Sequence, residues 1–245
     1  FGGNYDGGKF KIEGLTYNGD GNDLDQVDFL SNSCTAANTD MLTDHDDFRG
    51  IFKTLSNGAK IKNLHIHDIS ITGANNYVGA LAGTVTGLVS IENIKIDGHI
   101  TGNNNVGGMI GSAGKDANLS ITNCSINIQT YADDRLGGTN AGGVIGSSEG
   151  AIININGLKT FNNNSQSSDT RLYADRFMVN GKYRIGGVIG YIGSNSTVSV
   201  CNSILYHSSA PSHSEINVIT GISDIGGIVG LASDISSTLP ISDND

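Results

Sequence analysis

Apolar and polar residues alternate in short stretches that recur along the chain. A motif of the form Ile-x-Asn-apolar-x-Ile occupies residues 61–66, 91–96 and 121–126, at intervals of 30 residues. Its apolar positions repeat every second residue, which is typical of a half-buried strand and differs from the 3.6-residue period of a helix. The pattern therefore predicts repeated β-strands, with looser copies at 152–158 and 200–205.

A second motif, apolar-Gly-Gly/Ala-apolar-apolar-Gly, alternates with the first. Early copies begin 28 residues apart, and later copies begin 35 to 44 residues apart. The extra residues fall in polar stretches, which predicts loop insertions at 129–140, 160–183 and 207–221. The complete copies lie at 78–83, 106–111, 141–146, 185–190 and 225–230, and a degenerate copy lies at 49–52.

Each repeat must stack on its neighbours, because a unit of about 30 residues cannot bury its apolar edge alone. We therefore predict an all-β fold, a right-handed parallel β-helix (β-solenoid) of about six to seven coils with loop insertions in the later coils. Residues 1–245 are predicted to form one solenoid domain. Within it we expect an N-terminal cap or irregular first coil at 1–48, repeat coils at 49–230 and a polar tail or linker at 231–245.

The glycine motif resembles the GLUG motif of repeat regions in bacterial secreted and surface proteins, which include adhesins and IgA peptidases. The opening segment at 1–8, FGGNYDGG, is similar to the start of such regions. The resemblance extends from residue 1 to about 230. It implies a β-helical part of an exported protein, and it brings no catalytic residue to these repeats.

Strand alternation assigns the residues of the Asn motif to two faces. Ile61, Leu64 and Ile66 are predicted to point inward, and each Asn is placed where the chain turns between faces. Asn suits such a turn because it tolerates left-handed backbone and hydrogen-bonds local backbone groups. The stacked turns predict a structural ladder of amides formed by Asn63, Asn93 and Asn123.

The same register separates the cysteines. It predicts a buried Cys124, which aligns with Leu64, and an exposed Cys201, which aligns with Lys62. Cys34 lies in a polar stretch. Three cysteines without a CxxC pair or zinc spacing do not imply a disulfide framework.

The glycine motif leaves two interpretations open. A kink at the Gly-Gly pair would turn both apolar positions into the core. Without a kink, alternation sends one large apolar residue of each copy outward, which would form an interface stripe for a neighbouring domain or subunit. The residues of that hypothetical ligand or interface stripe are Leu81, Met109, Val144, Val188 and Ile228.

Composition and charge narrow the function classes. Only 16% of residues are charged, and 35 of the 245 are glycine, which suits tight turns between strands better than helices. The net charge of −10 argues against nucleic-acid partners, and the longest apolar runs are too short for membrane insertion. We expect an extracellular or cell-surface location of bacterial type, as a fragment of a larger exported protein.

Candidate chemistry is sparse. Oxygen ligands in the segment 18–28 suggest a weak calcium site, although the EF-hand pattern fails because Asp23 and Phe29 replace its Gly and Glu. Residues 44–47 are interpreted as an acidic surface loop. The residues of the hypothetical calcium site are Asp20, Asn22, Asp23 and Asp25.

These observations favour a non-catalytic extracellular structural or adhesive repeat module, which could self-assemble through the apolar-glycine stripe. Its expected partner is a protein or glycan surface, or a second copy of the chain. Two alternatives stay open: a carbohydrate-active β-helix of the polysaccharide lyase or hydrolase type, and an exosite domain of a larger secreted peptidase.

Overall fold

The chain was analysed as a computed structural model, which describes residues 1–19, 48–73, 76–133, 138–160, 177–203 and 219–233. These residues form strands and turns and no helix, so the all-β prediction is confirmed. None of the described residues belongs to a helix long and apolar enough to cross a membrane. The strands pair in parallel into three sheets.

The first sheet contains twelve strands and includes the two longest ones. Its members are β1 (Asn4–Asp6), β2 (Lys11–Glu13), β3 (Thr16–Gly19), β6 (Ala59–Gly73), β9 (Leu88–Gly102), β12 (Asn118–Thr122), β13 (Ser125–Ala132), β16 (Ile152–Asn156), β17 (Lys159–Thr160), β18 (Met178–Asn180), β21 (Thr197–Cys201) and β22 (Ile219–Thr220).

The second and third sheets contain six strands each. The second is formed by β4 (Phe48–Arg49), β7 (Tyr77–Gly79), β10 (Asn104–Gly107), β14 (Thr139–Gly142), β19 (Tyr183–Gly186) and β23 (Ser223–Gly226). The third is formed by β5 (Phe52–Leu55), β8 (Ala82–Val85), β11 (Ile110–Ala113), β15 (Ile145–Ser148), β20 (Ile189–Ile192) and β24 (Val229–Ala232).

Matching aliphatic residues of successive repeats lie beside one another. Ile91 pairs in register with Ile61 on one side and with Ile121 on the other. The same row continues to Ile155 and Val200. Each isoleucine of the row is at most 1% exposed. Burial of one such side chain contributes about 1.5–3 kcal/mol, so these stacks supply the continuous core that a single repeat lacks.

The glycine motif forms the corner between the second and third sheets. In the third copy, strand β14 ends at Gly142 and strand β15 begins at Ile145. The two residues between them turn the chain, and Val144 at this corner accepts the backbone N–H groups of Met109 and Ile110 from the previous repeat. The corner therefore stacks in parallel like the strands that flank it.

The interface-stripe hypothesis is wrong for four of its five residues. Leu81, Met109, Val144 and Val188 are completely buried. The physical reason is the corner, which interrupts the strand so that the residue assigned outward by alternation points into the core. The fifth residue, Ile228, is 37% exposed and belongs to the last described copy of the motif.

Glycine is required at the corner because backbone touches backbone there. A Cβ on Gly107 would lie 2.6 Å from the amide nitrogen of Gly146 and would overlap the carbonyl oxygen of Ile110. A Cβ carbon does not come this close to non-bonded backbone atoms, so a side chain would force the two sheets apart. Four glycine pairs make this contact between one repeat and the next, and we call them the glycine wedge: Gly79–Gly111, Gly107–Gly146, Gly142–Gly190 and Gly186–Gly230.

The predicted boundaries need adjustment where polar residues form strands. Within the expected insertion at 129–140, residues 129–132 belong to β13, and within 160–183, residues 178–180 form β18. Near the C terminus, β24 extends to Ala232, inside the expected tail. At the N terminus, residues 4–6, 11–13 and 16–19 pair with β6 as parallel strands.

Candidate functional site

The predicted asparagine row occupies left-handed turns on the first sheet. The φ angles of Asn63, Asn93 and Asn123 lie between 53° and 55°, a region that Asn tolerates better than most residues. Asn93 Nδ2 donates to Asn63 Oδ1 at 3.2 Å, and Asn63 Nδ2 donates to Asp6 Oδ1 at 3.1 Å. The amides of Asn63 and Asn93 thus link neighbouring strands at a structural turn, and the place of Asn123 in the ladder stays a prediction.

A second polar ladder on the second sheet was missed by the sequence analysis. Asn140 Nδ2 donates to Asn105 Oδ1 at 2.7 Å, and Arg184 Nη1 donates to Asn140 Oδ1 at 3.2 Å. All three residues have positive φ and immediately precede a copy of the glycine motif. The sequence does carry a signal for this ladder, because an Asn immediately precedes two copies of the glycine motif.

The thiols of Cys124 and Cys201 differ in burial. Cys124 is 1% exposed, and burial raises its thiol pKa to about 11. Cys201 is half-buried and pairs in register with Asn156. Cys34, the four residues of the hypothetical calcium site and the acidic segment 44–47 lie outside the described residues.

The outer face of the first sheet gathers two histidines around a carboxylate. His65 Nε2 lies 3.0 Å from Asp97 Oδ2, and His67 Nδ1 lies 2.6 Å from Asp97 Oδ1. One ligand atom from each of the three residues lies within 4.8 Å of the other two. The sequence offered no reason to expect Asp97 from the next coil between the two rings.

A β-bulge in β6 explains why both His67 and Asp68 meet Asp97. The pairing of β6 with β9 shifts between Ile66 and Ile69, so that one strand carries an extra residue there. Asp68 in the bulge has a φ of 53°, and its backbone N–H donates to Asp97 Oδ1 at 3.0 Å. Across from it, a Cβ on Gly98 would lie 2.7 Å from the amide nitrogen of Ile69. The bulge lies on β6 and sets two of its residues, His67 and Asp68, opposite Asp97, so that the His67 ring and the Asp68 N–H both meet its carboxylate.

Strand β2 places a second carboxylate beside the cluster. Glu13 Oε1 lies 3.8 Å from His67 Nε2, and Glu13 Oε2 lies 2.8 Å from Lys11 Nζ. The Lys11 ammonium, through its hydrogen bond, is the main cause of a Glu13 pKa below the ordinary value. Glu13 therefore offers a carboxylate to the ring nitrogen of His67 that faces away from Asp97.

Polar side chains continue this face into the next coil. In register, Asn127 pairs with Asp97 and Gln129 pairs with His99. Asn127 and Gln129 are 4% and 3% exposed, and among the described residues Asn127 Oδ1 and Gln129 Nε2 have no hydrogen-bond partner. Burial also lowers the pKa of His99, whose Nε2 lies 2.8 Å from Thr101 Oγ1.

Comparison with known proteins finds distant relatives of much greater length. Immunoglobulin A1 protease of Streptococcus sanguinis is 24% identical over 191 residues, which is 77% of this chain and 9% of the relative. Immunoglobulin A1 protease of Streptococcus pneumoniae is 23% identical over 190 residues, 76% of this chain and 8% of the relative. Halomucin of Haloquadratum walsbyi is 35% identical over 81 residues, 33% of this chain and 1% of the relative.

The chain thus spans less than a tenth of the length of these relatives. No family model matches the chain, and no solved structure matches it. The likeness therefore covers only a small part of each relative, and the resemblance to the GLUG motif stays a resemblance.

Proposed function

We propose that this chain is a non-catalytic, extracellular structural or adhesive module within a longer exported protein. The observation that carries the proposal is the continuous stack of buried aliphatic rows and backbone corners, which builds an elongating scaffold. Likeness to small parts of very long proteins supports the same view. We take the solenoid to be right-handed, because parallel crossover connections almost always have that hand, and to comprise six to seven coils.

In this role the solenoid holds other segments of its parent protein away from the cell surface. The expected partner is a protein or a glycan, which the outer face of the first sheet or its loops would contact. Self-association through the corner residues is not part of this proposal, since those side chains lie in the core.

A binding and turnover experiment tests the proposal. Residues 1–245 would be immobilised and exposed to arrays of glycans and extracellular proteins, while release of reducing ends is measured from a panel of polysaccharides. Saturable binding without sugar release would support an adhesive module. If neither binding nor sugar release is observed, the module is purely structural. Catalytic release of sugar ends would contradict the proposal and favour the carbohydrate-active alternative.

A second candidate function is an exosite region of a secreted peptidase whose active site lies elsewhere in the parent chain. The alignment over 77% of this chain with an immunoglobulin A1 protease favours it. Surface plasmon resonance with immunoglobulin A1 over immobilised residues 1–245 would test the idea, with immunoglobulin G as control. Selective binding without cleavage is expected; equal signals for both immunoglobulins, or none, would contradict it.

A further inference from the structure

The cluster of His65, His67 and Asp97 has the donor types of a transition-metal site. Imidazole nitrogens with a carboxylate are common zinc ligands, with bonds of about 2.0–2.2 Å. Tetrahedral bonds of that length place ligand atoms about 3.3 Å apart. The nitrogen–oxygen separations of 3.0 and 2.6 Å are shorter than this value, and the three ligand atoms lie within 4.8 Å of one another, so the side chains must adjust to admit an ion between them.

The charge of Asp97 calls for a strong cationic partner. The residue is only 5% exposed, and a buried carboxylate is costly unless it is paired or bound to a metal. Within the described parts of the chain, its ion-pair partners are the two histidines. A metal ion held between the carboxylate and both rings would supply the positive charge that the buried Asp97 carboxylate needs.

The contact to His67 is short but poorly aligned. Its Nδ1 is shielded from solvent and lies at ion-pair distance from Asp97 Oδ1, yet among the described residues it has no partner with hydrogen-bond geometry. A hydrogen bond requires alignment as well as a short distance, so this contact leaves the ring nitrogen without one. A buried ring nitrogen beside a carboxylate and without a proper hydrogen bond is suited to coordination.

Neighbouring groups already hold the donors in place. The backbone N–H of Asp68, in the bulge of β6, donates to Asp97 Oδ1 and so fixes that oxygen. Glu13 Oε1 lies 3.8 Å from His67 Nε2, beyond hydrogen-bond distance, and a small movement of this exposed side chain would let it accept the remaining ring N–H and orient the ligand. These contacts resemble the outer sphere that supports metal-bound histidines.

We propose that His65 Nε2, His67 Nδ1 and the Asp97 carboxylate bind a zinc ion, with Glu13 as a positioning residue. The ion joins strand β6 to strand β9 of the next repeat and so holds two consecutive coils of the solenoid together. The half-exposed histidines leave the remaining coordination position accessible from outside. In the next repeat, Ser125 pairs with Lys95 and Asn127 pairs with Asp97. Neither is a histidine or a carboxylate, so the set of three donors is not repeated on β13.

Zinc titration of residues 1–245, after treatment with a chelator, tests the site by calorimetry. We expect one zinc ion per chain and a rise in the unfolding temperature. The double variant His65→Gln/His67→Gln should weaken binding by at least about 100-fold, and Glu13→Gln by about 10-fold. His99→Gln, a histidine on the same face outside the cluster, serves as the matched control and should bind like the original chain. Calcium and magnesium should not compete, because they prefer oxygen ligands.

Histidine-ring 15N spectra of the unmodified chain identify the ligand atoms without any variant. Zinc should shift His65 Nε2 and His67 Nδ1 toward metal-bound values while leaving His99 unchanged. Either of two results would overturn the proposal: no saturable zinc binding, or binding whose shifts fall on His45, His207 or His213. Undiminished affinity in a folded double variant would do the same.

Discussion

The first sheet and the glycine wedge stack the same coils in different ways. Along the first sheet, large side chains such as Ile91 fill the space behind each strand, and each touches its equivalent one coil away. In the glycine wedge no side chain intervenes, and Gly107 of one repeat lies against the backbone of Gly146 in the next. The contrast shows that successive coils of a solenoid can pack together in two ways: large side chains fill the space between them, or glycine lets the backbones touch.

The two regions should therefore respond oppositely to added and removed volume. A truncated isoleucine leaves a cavity whose walls can partly relax. An added methyl group in the glycine wedge meets carbonyl oxygens and amide nitrogens that are fixed by hydrogen bonds to neighbouring coils. Substitutions in the glycine wedge are thus expected to be the more damaging.

The largest effect is expected for Gly107→Ala. The new methyl group would overlap the Ile110 carbonyl oxygen and crowd Gly146, so we expect a loss of more than about 4 kcal/mol in unfolding free energy. Urea unfolding followed by circular dichroism measures it. Gly114→Ala is the matched control, because its Cβ would lie 3.6 Å from the nearest atom, and that change should be nearly neutral. Equal effects of the two substitutions would refute close backbone contact in the glycine wedge.

A smaller loss is expected for Ile91→Ala in the buried row. Deleting a fully buried isoleucine side chain costs about 2–5 kcal/mol, depending on how far the cavity collapses. Ile152→Ala, at a position that is 48% exposed on β16, should cost less than about 1 kcal/mol. Thermal and urea unfolding of both variants measure the difference. A harmless Ile91→Ala would contradict the stacked core.

A left-handed turn within the first sheet gives a still smaller effect. Asn93→Ala keeps a left-handed φ of 54° on a residue that adopts it poorly, which costs about 1–2 kcal/mol. Asn93→Gly also removes the hydrogen bond to Asn63 but relieves the backbone, so it should be the milder change. Unfolding free energies that rank Ala above Gly would show that the turn conformation does not limit stability.

The smallest effect is the contribution of His99 to the pH dependence of the unfolding free energy. Burial disfavours the charged imidazolium, so the pKa of His99 in the folded chain lies below its ordinary 6.5. The unfolded chain then takes up this proton first, and stability present above pH 6.5 is lost as pH falls through the folded pKa. Urea unfolding of metal-free protein from pH 7.5 to pH 5 should show a shallower decline for His99→Gln. Parallel declines in both proteins would rule out this contribution.

The sequence predicted the rows of the first sheet because their aliphatic residues alternate strictly at 30-residue intervals. The burial of Cys124 follows from the same register. The glycine corner was left open because alternation assumes an uninterrupted strand, and a turn at Gly143 and Val144 breaks that assumption. The His–Asp cluster depends on a bulge at Asp68 and on contact between coils, neither of which a local pattern encodes.

Contacts between isoleucine methyl groups test the stacking most directly. In a methyl-labelled sample, nuclear Overhauser effects should join Ile91 to both Ile61 and Ile121, which are 30 residues away in either direction and paired with it in register. Spectra in which Ile91 contacts only residues near it in sequence, with no signal to Ile61 or Ile121, would contradict the stacked solenoid.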